Sequence, residues 1–134
     1  MRLATFTIFS FLALGPVNAV VKPTLWDIPQ VDNGLFNIGI AHAIRQNCSF
    51  IEADSLAGIF YVWKLIGYAK KAGYSLKETR VFIDDDYEKS VLRSRVKKYL
   101  KSLGLNSEKL NTLCDFGKVE ITNRSQIGKL LRIN

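Results

Sequence analysis

The sequence is poor in the residues that build metal and redox centres. It has one histidine, His42, and two cysteines, Cys48 and Cys114, in 134 residues. That set is too small for a four-ligand Cys/His zinc site, and the cysteine spacing excludes a Cys-x-x-Cys redox pair. Glycine is present nine times and proline three times, with no Gly-rich phosphate loop and no Gly-x-Ser-x-Gly elbow for a nucleophilic serine. Acids are in the minority, 12 against 19 Lys+Arg, for a formal charge of +7. The longest apolar run is about a dozen residues, well short of the roughly 20 that a membrane-spanning helix needs. Nothing calls for a cofactor. The 48% of apolar residues and 23% of charged residues do provide for one packed domain.

That apolar run sits at the N-terminus. Arg2 is followed by Leu3 to Leu14, interrupted only by Thr5, Thr7 and Ser10, then by the helix breakers Gly15 and Pro16 and by Val17-Asn18-Ala19. The three-part pattern reads as a secretory signal peptide over residues 1–19, with cleavage expected after Ala19, export, and no transmembrane span thereafter. Cleavage would remove Arg2 and no acid, so the charge falls by one from +7 to +6. It would also place Cys48 and Cys114 in an oxidising compartment, where an even pair is expected to join.

Residues 20–32, with Pro23 and Pro29 and no helical period, are expected to form an extended arm that packs Leu25, Trp26 and Ile28 on a helical domain over residues 33–134. Asp32 is a candidate cap for a first helix carrying Phe36, Ile40, Ala43 and Ile44. Asp54 opens a second, whose Leu56, Ile59, Phe60, Val62, Trp63, Leu65, Ile66 and Ala69 wrap most of its circumference. A helix apolar on nearly all sides is expected at the centre of a bundle. Gly73 should stop it. Ser75 and Glu78 form a capping box for the next helix, which Asp84-Asp85-Asp86 can interrupt or kink. Val91, Leu92, Val96, Tyr99, Leu100 and Leu103 then form one stripe ended by Gly104. Ser107 is a candidate cap for a helix through Leu110, Leu113, Val119 and Ile121, in which Gly117 signals a close contact or a bend. Ser125 can cap a last turn carrying Ile127, Leu130 and Leu131. Gly39, Gly58 and Gly67 read as close helix contacts. No stretch shows sustained strand alternation, so the fold class is all-α, a small single-domain bundle of about five helices with one disulfide, Cys48 to Cys114.

Several of these residues together carry a resemblance. Trp26-x-Ile28-Pro29, Cys48, Gly73-Tyr74-Ser75, Glu88-Lys89, Arg93-x-Arg95, Leu113-Cys114-x-x-Gly117-x-x-Glu120-Ile121 and Ser125-x-Ile127-Gly128-x-Leu130-Leu131-Arg132 resemble a domain-of-unknown-function family of small secreted alphaproteobacterial proteins. The resemblance implies a periplasmic setting, a single domain and a paired Cys48/Cys114. It implies no activity and carries over no catalytic residue.

The charge is concentrated. Residues 89–101 hold Lys89, Arg93, Arg95, Lys97, Lys98 and Lys101 and no acid, which equals the whole excess of the chain after residue 19. Lys89, Arg93, Lys97 and Lys101 recur at i, i+4 and form a basic stripe for an acidic envelope protein, a polymer or an anionic lipid surface. The blander alternative is a solvated face whose acids come from a neighbouring helix. Asp85 is placed to pair with Lys89. Nucleic acid fits poorly with an export signal and no recognised binding module. The acids Asp84, Asp85, Asp86 and Glu88 are consecutive rather than alternating, which suits a helix cap better than a calcium loop. His42 has no partner in sequence that points to catalysis. The first functional reading is a non-enzymatic binding or structural module of the envelope; the alternative is a small periplasmic enzyme using carboxylates near Asp84 to Glu88.

Overall fold

A computed structural model describes Gly15, residues 21–105 and residues 110–134. The signal-peptide pattern and the candidate cap Ser107 lie outside the described residues, Gly15 excepted. The described residues form five α-helices, α1 (Pro29–Asn47), α2 (Ser55–Lys71), α3 (Leu76–Asp84), α4 (Asp86–Ser102) and α5 (Leu110–Thr122), and a two-stranded antiparallel ribbon of β1 (Ile51–Ala53) and β2 (Leu131–Ile133). The all-α expectation holds. The ribbon pairs Ile51 with Ile133 and Ala53 with Leu131, and at three residues a strand it is too short to show an alternating pattern in sequence.

The first helix begins earlier than its acid cap suggested. Ile28 is the N-cap and Pro29 the first helical residue; the missing proline N–H is one of the four donors that a helix start leaves unpaired, and its fixed φ suits the turn. Asp32 thus falls inside the first turn, where a negative charge favours the positive end of the helix dipole. The arm shortens accordingly. Leu25–Asp27 form a 3₁₀ turn in which the Asp27 carboxylate accepts from the Thr24 backbone N–H at 3.1 Å and from its hydroxyl at 2.8 Å. Leu25 and Ile28 are buried and Trp26 is half-buried, as the sequence led us to expect.

The helix at the centre of the bundle is α1, and the expectation that α2 occupies that place is overturned. Buried residues occupy most of the circumference of α1 (Val31, Gly34, Leu35, Ile40, Ala41 and Ile44), whereas α2 buries only Leu65 and Ala69. The reason is steric. A Cβ on Gly34 would overlap the Leu65 side chain, and one on Gly39 would lie 2.8 Å from Val96 Cγ2, so α2 and α4 both lie directly on the α1 backbone. Two cores result. One joins the N-terminal half of α1 to the 3₁₀ turn and α2; the other joins its C-terminal half to α4, α5 and the ribbon.

Local chemistry sets the remaining boundaries. The Asp54 carboxylate accepts from Ala57 N–H at 2.9 Å and caps α2. Gly73 (φ 92°) and Gly104 (φ 72°) follow α2 and α4 in left-handed conformation, and the residue after each donates back to a carbonyl in the preceding turn, Tyr74 to Ala69 and Leu105 to Leu100. The Ser75–Glu78 capping box forms in both directions. The acidic triplet breaks the chain into α3 and α4 at Asp85, whose carboxylate accepts from Glu88 N–H at 2.9 Å.

Cys48, the C-cap of α1, and Cys114 in α5 are joined by a disulfide with a Cα–Cα distance of 5.6 Å. Beside it Gly117 lets α5 close on α1: a Cβ there would lie 2.7 Å from Ile44 Cγ2. The Ser125 hydroxyl donates to the Glu120 carboxylate and accepts from Gly128 N–H, fixing the 3₁₀ turn Gly128–Leu130 that leads into β2.

Candidate functional site

Three surfaces concentrate chemistry: the acidic junction between α3 and α4, the basic stripe of α4, and the outward side of α2.

At the junction each acid but Asp84 is held by its carboxylate. Asp85 caps α4. Glu88 accepts from the Trp26 indole N–H at 2.5 Å, and Trp26 in turn stands edge-on to Phe82 with ring centroids 5.2 Å apart. Asp86 lies 3.9 Å from Lys89 Nζ, which also donates to the Asp84 carbonyl at 2.8 Å. The expected Asp85–Lys89 pair is therefore replaced by Asp86–Lys89, because the cap role turns Asp85 toward the helix start. Asp84 and Asp85 border an open groove with Leu76, Lys77, Arg80 and Val81. Among the described residues no three His, Cys, Asp or Glu side chains are grouped to hold a metal ion. His42 is exposed on α1, its pKa lowered by partial desolvation and then by Arg45.

The basic run divides into engaged and unengaged cations. Arg95 makes a two-pronged contact to Asp32 of α1, at 2.5 and 3.0 Å, the geometry of a strong charge-assisted pair. The guanidinium lies 5.1 Å from the Trp26 ring and 5.5 Å from the Phe36 ring. Its pKa is raised by the bond to Asp32. Arg95 thus belongs to the scaffold, and Lys89 is tethered at the start of α4 with its side chain still partly open to solvent. Arg93, Lys97, Lys98 and Lys101 are exposed, and among the described residues none of the four has an acid within ion-pair distance. Among the described residues a neighbouring helix supplies an acid to Arg95 and to no other member of the run.

The third surface was expected to be core. Leu56 (65% exposed), Phe60 (66%) and Trp63 (57%) follow one another at helical spacing on the outside of α2, flanked by Ile59 and Val62. A groove bordered by Ile59, Val62, Trp63, Ile66, Arg80 and Ile83 separates α2 from α3. Gly58 and Gly67 do not mediate contacts as expected: a Cβ on either would meet nothing within 4 Å. Each nonetheless lowers helix stability by about 0.8–1 kcal/mol relative to alanine. No sequence signal separated this face from a buried one, since an apolar side chain reads alike in either place.

The apolar and basic helices lie on different sides of α1. Gly34 and Asn37 of α1 meet α2, through Leu65 and through a 3.2 Å hydrogen bond from the Asn37 amide to the Tyr61 hydroxyl. Asp32, Phe36 and Gly39 meet α4, through Arg95, an edge-on contact with Tyr99 at 5.3 Å, and Val96. At about 100° of rotation per residue these two sets of positions face nearly opposite directions.

Fold and surfaces together define a disulfide-stapled helical domain with an aromatic-anchored N-terminal segment. Residues 23–132 match the model of DUF5333, a family of unknown function, and the chain belongs to that family. No curated protein and no solved structure matches it. No helix among the described residues is long and apolar enough to cross a membrane.

Proposed function

We propose that the chain is an exported, non-enzymatic binding module of the bacterial cell envelope, which engages an anionic partner through α4. The observation that carries this reading is the exposure of Arg93, Lys97 and Lys101 with no acid of the described residues within ion-pair distance, and with Lys89 at the head of the stripe. Like charges at i, i+4 oppose helix formation by roughly 0.2–0.5 kcal/mol a pair. Among the described residues no acid relieves Arg93, Lys97 or Lys101, so the arrangement makes physical sense when a ligand supplies the counter-charge. The signal-like residues 1–19, with cleavage after Ala19, and the disulfide both fit a periplasmic location. The carboxylates Asp85, Asp86 and Glu88 serve as cap, ion-pair partner and tryptophan tether, which leaves the enzyme reading with Asp84 in an open groove.

Heparin is a suitable probe of repeated anionic groups. Residues 20–134 should bind it at low ionic strength and release it as salt rises, because exposed charge pairs are screened over about 10 Å at 0.1 M. The quadruple reversal Lys89→Glu, Arg93→Glu, Lys97→Glu, Lys101→Glu should weaken binding at least tenfold. Binding that ignores salt, or that survives the reversal, would rule the stripe out as the recognition surface.

A further inference from the structure

The outward face of α2 needs a different explanation, since the α4 stripe lies on another side of the central helix. We infer that this face is the two-fold interface of a homodimer in which the α2 helices of two copies pack antiparallel.

The size of the surface is the first argument. Leu56, Ile59, Phe60 and Trp63 are all more than half exposed. With aromatic side chains presenting about 150–250 Å² each, they and their neighbour Val62 offer on the order of 600 Å². That is the upper end of what a monomer leaves uncovered, and it approaches the ~800 Å² per partner of a stable specific interface.

The charge layout of the helix selects a second copy and its direction. Lys70 and Lys71 end α2, while Asp54 caps its start and Glu52 precedes it, paired with Arg132. An antiparallel pair sets Lys70 and Lys71 of each α2 against the start of the other, where Glu52 keeps a half-exposed carboxylate beside Arg132, and opposes the two helix dipoles favourably. A parallel pair would stack like ends. A two-fold axis midway between Phe60 and Trp63 places Phe60 of each copy opposite Trp63 of the other. It also places Leu56 opposite Gly67, where a missing side chain leaves room for it. Gly67 has no packing role within one copy; across this axis it has one. An anionic membrane is the competing occupant. It is disfavoured because the exposed cations Arg93, Lys97, Lys98 and Lys101 sit on α4, across α1, and would face away from the headgroups that α2 met.

Sedimentation equilibrium of residues 20–134 over a concentration series tests the interface. The wild type should be dimeric. Phe60→Glu with Trp63→Glu should be monomeric with unchanged helical circular dichroism, and the milder pair Leu56→Ser with Trp63→Ser should weaken association in the same direction. Lys70→Glu with Lys71→Glu should weaken it at least tenfold if the helices run antiparallel. None of these substitutions touches the α4 stripe, so heparin binding by the monomeric variants should persist whenever the α4 reading holds. A wild type that is monomeric throughout, or a dimer that survives Phe60→Glu with Trp63→Glu, would overturn the inference. So would a monomer that co-sediments with phosphatidylglycerol-containing vesicles through Phe60 and Trp63, which would assign the face to lipid.

Discussion

Replacing Cys48 and Cys114 together by alanine should lower the stability of the domain by about 2–5 kcal/mol. The bridge closes a loop with a sequence separation of 66, for which the chain-entropy account gives about 4 kcal/mol. Its position enlarges the consequence. Cys48 terminates the central helix and Cys114 lies in the helix packed across its end, both within the larger core with Ile44, Ile51 and Leu113. Alanine is preferable to serine because burying a hydroxyl would add its own desolvation cost to the loss of the bridge. Urea unfolding of the oxidised wild type and the double variant measures the difference, and reduced wild type should follow the variant. Coincident midpoints for all three would show that packing alone holds α5 to α1.

Gly128→Ala should be the most damaging single-methyl change, at about 3 kcal/mol. The added Cβ would overlap the Glu120 carbonyl, with the Glu120 carbonyl carbon and Ile121 N also inside contact distance. Overpacking in a dense core typically costs about 1–3 kcal/mol, and this obstruction is backbone, which cannot rotate away as a leucine tip can. The same residue donates its N–H to Ser125 Oγ at 2.9 Å, so relief by shifting the turn would break the contact that orders the path into β2. Gly58→Ala is the matched control: its Cβ meets open space, and helix propensity alone should raise stability by about 0.8–1 kcal/mol. Opposite signs for the two variants in thermal unfolding are the expected result, and equal effects would contradict the steric account.

What could be read from sequence was the chemistry that acts within a few residues. Asp54, the Ser75–Glu78 box, Gly73, Gly104 and the break at the acidic triplet all work through hydrogen bonds or backbone angles in one turn of chain, and each is found in place. Pro29 is the exception: two start signals, a proline and an aspartate, competed within one turn, and the proline's fixed φ prevailed. What could not be read was which helix the others surround. Apolar content favoured α2, but centrality was decided by Gly34 and Gly39 of α1, whose partners Leu65, Leu92 and Val96 are distant in sequence. The basic run was visible by composition. That Arg95 leaves it to bind Asp32, 63 positions away, was not, and this division turns an undifferentiated charge cluster into a scaffold pair and an exposed face.

The most direct test of that face is affinity capture by residues 20–134 from the envelope fraction of the source cells, with the four-charge reversal at Lys89, Arg93, Lys97 and Lys101 run in parallel. The account predicts an acidic component retained by the wild type at low salt, eluted by high salt and missing from the reversal variant. The same components on both proteins, or none that distinguishes them, would contradict it.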